Sequence, residues 1–195
     1  MRIAVVTDPA AEPITRQNVY NWLRMDTTGS PPTHPLDDEI DIAIAAARDG
    51  VERDTRRSLV ARTYDLYVPN FCAELVRPPL ISVQSIRYYD DANALQTLDS
   101  SIYFVTQDLV PKIALQDGQS WPITFQRKDA VIIRYIAGFE GTGSPADLTD
   151  RIPAPLKQAC LVHVQMHLDY MKPADMQALR DAYDRLVSTW EVPLI

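Results

Sequence analysis

The clearest pattern in the chain is a run of apolar residues at three- and four-residue spacing between residues 36 and 59. Its members are Leu36, Ile40, Ala43, Ile44, Ala47, Val51 and Leu59. This spacing predicts a helix with one apolar side. Acidic residues open the helix and arginines close it, which complements the helix dipole. Gly50 weakens the middle of this helix by about 1 kcal/mol relative to alanine, so it predicts close packing against a neighbouring element.

A second helical stretch, residues 152–171, is apolar or aromatic around most of its circumference. Pro153 and Pro155 fit the first turn of a helix, and Pro173 predicts its end near Lys172. A surface helix buries one side, whereas this helix needs cover on most of its sides. The cover comes from its own domain, from a neighbouring copy, or from both. Shorter patterns predict helices at residues 14–25 and 174–190.

From residue 61 the period changes to two, as in half-buried strands. The predicted strands are residues 63–68, 81–89, 101–105, 112–115, 123–126 and 130–136. A change of phase predicts a β-bulge near Ser85. An N-terminal apolar run, residues 3–6, is a strand or an ordered arm, and residues 138–150 form a loop.

These patterns predict an α+β protein. Its helical core consists of N-terminal helices and two C-terminal helices, and it carries an inserted antiparallel β-sheet or sandwich of about six short strands. We expect one domain over residues 1–195, with a helical part at 1–60 and 151–195 and a β insertion at 61–140.

Composition narrows the function classes. The chain has 195 residues and a formal net charge of −7, which argues against a protein that holds nucleic acid through its phosphates. The two cysteines, Cys72 and Cys160, have no metal or redox spacing, which favours a reducing, cytosolic setting during synthesis. No signal peptide is expected, and no apolar run approaches the roughly 20 residues of a membrane span.

The candidate chemistry is sparse. His163 and His167 are four residues apart, the spacing of two metal ligands on one helix face, but Val164 stands where a zincin has glutamate. Histidines of a core or interface are the favoured interpretation. The alternative is a metal-dependent enzyme or small-molecule-binding protein that uses His163 and His167.

Cys160 is interpreted as a small core residue. Arginines 53, 56, 57 and 62 form the only basic cluster along the sequence. We predict no catalytic, cofactor-binding or metal-binding residues.

Several segments occur in a recognisable order. They are EPITRQNVYNWLRMD, LDDEIDIAIAAARDGVERDTRRSL, RPPLISVQSIRYYDD, LDSSIYFV, SWP, DAVIIRYIAGF and IPAPLKQACLVHVQMHL. This ordered set resembles the head–tail connector, or adaptor, family of long-tailed double-stranded DNA phages and gene transfer agents. The resemblance implies a structural protein, not an enzyme, that forms a ring beneath the portal and extends the DNA channel.

The same resemblance implies partners and a location. The partners are the portal protein, the next head-completion (stopper) or tail protein, and other copies of the chain in a dodecameric ring. DNA passes through the channel without specific binding, and no cofactor or membrane is involved. The protein is expected at the head–tail interface of the virion, after synthesis in the host bacterial cytoplasm. A net negative charge suits such a conduit because phosphates are repelled.

The excess of apolar side chains on the two C-terminal helices predicts contacts between subunits. The candidate interface residues are Leu156, Cys160, His163, Val164, His167, Tyr170, Met176, Tyr183, Trp190, Val192, Leu194 and Ile195. The last five residues are too few to form a core. They insert into the portal or a neighbouring subunit, or they fold back on the β segment of their own chain.

Overall fold

A computed structural model describes residues 1–143, 146–147, 149–168 and 173–193. The described residues contain four helices, a five-stranded antiparallel sheet and two separate two-stranded sheets, which confirms the α+β prediction. The chain divides into two compact units. The sheet unit comprises Met1–Ala10 and Ala61–Glu140, and the helical unit comprises Ala11–Val60 and Gly141–Ile195.

The main sheet of the sheet unit has the strand order β1-β2-β7-β3-β4. Its strands are β1 (Arg2–Val5), β2 (Arg62–Val68), β3 (Leu80–Tyr89), β4 (Leu95–Thr97) and β7 (Val131–Ala137). The N-terminal apolar run is therefore a strand. Because it pairs antiparallel with β2, residues 1–10 belong to the sheet unit, whereas the sequence-based boundary placed residues 1–60 in the helical part.

One face of this sheet carries the core of the unit. Tyr64, Leu66, Ile86, Ile133 and Tyr135 alternate along β2, β3 and β7 and are buried. The pairing of β3 with β7 shifts register between Val83 and Ser85, which confirms the predicted bulge. Tyr135 donates a hydrogen bond from its hydroxyl to the carbonyl oxygen of Val76 at 2.8 Å, so its polar end is satisfied inside the core.

A second, two-stranded sheet pairs β5 (Tyr103–Val105) with β6 (Ile113–Leu115). The predicted strand at residues 123–126 is wrong: these residues are irregular, and the side chain of Ile123 is exposed. Pro122 precedes them and cannot donate to a ladder, and the N–H of Phe125 bonds the carbonyl oxygen of Tyr89 as a single contact. Strand β4 was not predicted, because its three residues are all exposed and show no apolar alternation.

The helical unit begins with α1 (Arg16–Leu23) and α2 (Asp37–Thr55). Thr15 caps α1 with its side chain, and a left-handed residue, Arg24, ends it. Three acidic residues in the first turn of α2 and an arginine in its last turn agree with the predicted charge pattern. The buried glutamate Glu52 accepts the backbone N–H of Leu59 at 2.8 Å, which holds the chain as it leaves the helix.

The C-terminal part of the unit contains the short hairpin of β8 (Thr142–Gly143) and β9 (Ala146–Asp147), then α3 (Ala154–Leu168) and α4 (Pro173–Ser188). α3 contacts α1, α2 and α4. None of the helices in the described part of the chain combines the length and apolar character that crossing a bilayer requires.

Candidate assembly surfaces

The helix that needed cover, α3, receives it within its own unit. Its buried residues are Leu156, Ala159, Cys160, Val162 and Val164. They are distributed around the helix because α1, α2 and α4 all contact it. Burial raises the pKa of the Cys160 thiol well above its usual range, which favours an unreactive core residue. Leu156, Cys160 and Val164 thus lie in the interior of the helical unit, and their role between copies stays a prediction.

His163 occupies the crossing of α3 with α2. A Cβ atom on Gly50 would lie 2.7 Å from Nε2 of His163, which confirms the close contact predicted for this glycine. The His163 ring lies 4.7 Å from the ring of His167 and 5.6 Å from that of Tyr183, centroid to centroid. Its Nδ1 atom is buried and has no hydrogen-bond partner among the described residues. Burial, together with the neighbouring His167, lowers the pKa of His163.

Tyr183 connects α4 to α2. Its hydroxyl donates a hydrogen bond to Oδ2 of Asp54 at 2.7 Å, and Arg53 contacts the same carboxylate. Burial and this hydrogen bond raise the pKa of Tyr183. Across the described ranges, no group of three or more His, Cys, Asp and Glu side chains is placed to hold a metal ion.

The start of the C-terminal tail docks on the end of α2. The N–H of Val192 bonds the carbonyl oxygen of Thr55 at 3.0 Å. Arg56 donates to the carbonyl oxygen of Val192 at 2.6 Å, and Arg57 donates to that of Trp190 at 2.7 Å. Val192 is 5% exposed. Residues 190–192 are therefore held by the helical unit, whereas the last two residues of the predicted tail lie outside the described residues.

The remaining candidates have mixed positions. His167 is exposed, Met176 and Trp190 are half-buried, and Tyr183 is buried. Tyr170, Leu194 and Ile195 lie outside the described residues. The structure thus brings His163, His167 and Tyr183 together at the contact of α2, α3 and α4, and it places Trp190 and Val192 at the end of α2.

The sheet unit carries a charged surface that the sequence analysis missed. On the face opposite its core, the sheet and the segment before β7 collect a set of arginines and tyrosines, here called the arginine–tyrosine face: Arg2, Tyr67, Arg87, Tyr89, Arg127 and Arg134. These arginines are scattered along the sequence, so they form no basic cluster there. The alternation in each strand indicates which side chains share a face, but only strand pairing brings them together.

Comparison with known proteins first defines the fold. No protein-family model matches the chain, and no curated protein sequence matches it significantly. Solved structures do match, over the whole chain. A chain from the neck of an empty gene transfer agent particle, computed with C6 symmetry, superposes with a TM-score of 0.79 at 19% identity. The match covers 100% of this chain and 97% of that chain.

Two further structures agree. A chain of the virion of a native gene transfer agent particle gives a TM-score of 0.73, and a chain of the neck of a native particle computed with C12 symmetry gives 0.66. Both are 18% identical, and both matches cover 100% of this chain and 97% of the other. The α+β fold is thus shared with neck and virion chains along the full length.

Proposed function

We propose that this chain is a structural protein of a virion and belongs to its neck. It forms a ring under the portal, connects the head to the tail and extends the DNA channel. The observation that carries the proposal is the match of the entire fold, which covers 100% of this chain and 97% of a gene transfer agent neck chain. A match of this extent includes both the sheet unit and the helical unit, not a single common motif.

The partners follow from this role. The portal protein lies on one side of the ring, and the next head-completion (stopper) or tail protein lies on the other. One of the matching necks was computed with C12 symmetry, which supports a ring of twelve copies. Residues 1–195 would act together as one connector, at the head–tail interface, without catalytic activity.

Charge supports the proposed conduit. The formal net charge of −7 repels phosphates, so DNA moves past such a protein without being held. A ring also needs two different complementary surfaces on each copy, because neighbouring copies meet through heterologous contacts that close.

The test is reconstitution. The purified chain is mixed with its cognate portal ring and analysed by light scattering and electron microscopy, with a portal from an unrelated phage as the control. We expect a complex with a ring of added density on the cognate portal alone. A chain that ignores the cognate portal and leaves no ring on it would contradict the proposal.

A further inference from the structure

The arginine–tyrosine face is organised by strand register. One lateral row crosses all five strands of the main sheet, and its members are Arg2, Tyr67, Ile132, Arg87 and Thr97. The next row of the same face contains Asp65 of β2 and Arg134 of β7, which are also paired across the strands. Cross-strand partners lie on the same face of a sheet, so these side chains form one surface.

Some arginines of this face are paired with aspartates of the same chain, and others form no ion pair. Arg134 makes two hydrogen bonds to the carboxylate of Asp65, both at 2.7 Å. Arg127 is likewise paired with Asp129 at 2.7 Å. Within the described part of the chain, neither Arg2 nor Arg87 forms an ion pair, but Arg2 lies near enough to Asp129 to lower the pKa of that carboxyl. Four arginines therefore face two aspartates, and the excess positive charge is on Arg2 and Arg87.

Aromatic rings orient the guanidinium groups. The guanidinium carbon of Arg2 lies 3.9 Å from the centroid of the Tyr67 ring, and that of Arg127 lies 4.0 Å from the centroid of Tyr89. A guanidinium stacked on a ring keeps its N–H edge free for a carboxylate. Tyrosine and arginine are also the residues that dominate protein interfaces, since they combine apolar area with directed hydrogen bonds.

The chain also carries a surface of opposite character. Asp38, Glu39 and Ile42, here called the acidic stripe, lie on the exposed side of the first turns of α2. The nearby Arg16 is engaged with Asp37 and Asp41 instead. Ile42 is 71% exposed although it lies in a regular helix. Asp38 and Ile42 are neighbours because residues four apart share one side of a helix.

We propose that the arginine–tyrosine face binds the acidic stripe of a second copy of this chain. The unpaired Arg2 and Arg87 receive the carboxylates of Asp38 and Glu39, and Ile42 is covered by the tyrosine rings. This inference rests on the proposed ring, which requires two unlike surfaces that fit each other on every copy. Both the charge and the exposed apolar side chain favour this occupant.

A protein partner fits the face better than nucleic acid does. DNA-binding proteins with strong, salt-dependent affinity neutralise about 6–10 phosphates. This face offers two unpaired guanidinium groups, and the chain as a whole carries a net charge of −7.

A charge-exchange experiment tests the interface. Variant A carries Arg2→Glu and Arg87→Glu, and variant B carries Asp38→Arg and Glu39→Arg. In each variant alone, like charges meet, so self-association at low salt should weaken on the order of 10- to 100-fold. An equimolar mixture of A and B should associate again, because each reversed surface meets its complement. Sedimentation velocity measures association, free and on the portal ring, and circular dichroism confirms folding.

The control has a charge change equal to that of variant A elsewhere on the chain. Arg151→Glu with Arg180→Glu replaces two exposed arginines of the helical unit and should associate like the wild type. If variants A and B are folded and still do not associate when mixed, the interface is wrong. Binding of a short DNA duplex by the wild type that is lost in variant A would also overturn it, in favour of a phosphate-binding face.

A second measurement does not depend on the folding of variant B. A photo-cross-linking amino acid at the exposed Thr97 should form a bond with residues 38–42 of another copy, identified by mass spectrometry with isotope-labelled protein. If no such bond forms, free or on the portal, the interface is wrong. If no cross-link forms but the chain still binds the portal ring, only the interface is wrong and the proposed neck function is unaffected. If the chain does not bind the portal ring either, the proposed function is also contradicted.

Discussion

The central strand of the sheet unit, β7, and the central helix of the helical unit, α3, use their residues differently. Along β7, Ile133 and Tyr135 point into the core, whereas Ile132 and Arg134 belong to the opposite face. Along α3, buried residues occur on several sides because three other helices contact it. The strand has one face in the core of the sheet unit and one in the arginine–tyrosine face. The helix is used mostly for the packing of its own unit.

This difference separates two kinds of surface. A substitution on α3 should change stability first, whereas a substitution on the arginine–tyrosine face should change association first. The surfaces available to other copies are therefore expected on the sheet and on the exposed side of α2, rather than along the buried length of α3.

The largest effect is expected in α3. Leu156→Ala removes a side chain that is 0% exposed and should lower the free energy of unfolding by about 2–5 kcal/mol through lost burial and a residual cavity. Gln158→Ala, on the same helix and exposed, is the matched control and should change it by no more than about 0.5 kcal/mol. Urea unfolding measures both. Equal effects would show that α3 is not covered by its own unit.

Two adjacent residues of β7 test the faces of the sheet. Ile133→Ala, at 0% exposure in the core, should cost about 2–5 kcal/mol of unfolding free energy. Ile132→Ala, at 7% exposure between Tyr67 and Arg87, should lower the unfolding free energy less than Ile133→Ala, because long neighbouring side chains can close over the gap. Its main effect should be weaker self-association in sedimentation velocity. A larger loss of unfolding free energy in Ile132→Ala than in Ile133→Ala would contradict the assignment of Ile133 to the core face and of Ile132 to the opposite face.

The tail tests how far the helical unit extends. Val192→Ala should lower the unfolding free energy by about 1–2 kcal/mol, because the side chain is buried beside the end of α2. Pro193→Ala, at an exposed position, serves as the control. Thermal unfolding of the isolated chain measures the change. If Val192→Ala melts like the wild type but binds portal poorly, the tail belongs to a partner and not to its own unit.

The contact of α2 with α3 depends on one glycine. Gly50→Ala should destabilise the wild type by about 1–3 kcal/mol, because its Cβ would lie 2.7 Å from Nε2 of His163. In a His163→Ala background the same change should stabilise by up to about 1 kcal/mol, the helix preference of alanine over glycine. A double-mutant cycle in urea compares the two. If Gly50→Ala changes the unfolding free energy equally in the wild type and in the His163→Ala variant, the contact with His163 is not the reason for glycine at position 50.

The smallest effect concerns pH. Burial lowers the pKa of His163 in the folded chain below its ordinary value of 6.5. Below about that pH the unfolded chain binds the proton more readily, so the free energy of unfolding falls as the pH falls. One such group contributes at most about 1.4 kcal/mol per pH unit. His163→Gln should therefore show a shallower decrease between pH 7.5 and 5.5, roughly the range in which histidine titrates. If the unfolding free energies of the wild type and of His163→Gln fall in parallel as the pH falls, His163 is not the cause of the pH dependence.

Much of the helical unit was predictable from the sequence. The apolar spacing of α2, its terminal charges and the packing role of Gly50 are local features, and each agrees with the structure. The end of α3 predicted near Lys172 lies outside the described residues, and Pro173 is the first residue of α4. In the sheet unit, the bulge near Ser85 followed from a change of phase within one strand.

Other features depend on residues that are distant in the sequence. The sequence could not show that Arg2 lies on the Tyr67 ring, because 64 residues separate the two and β1 had no predicted partner. The docking of Val192 on Thr55 depends in the same way on a distant helix end. The sequence by itself determined the periodicity of the main elements and the charges at the two ends of α2. Only the tertiary structure decided which faces meet. Strand pairing and helix contacts join residues that are far apart in the sequence, and the pattern within one segment does not specify which distant segment it contacts.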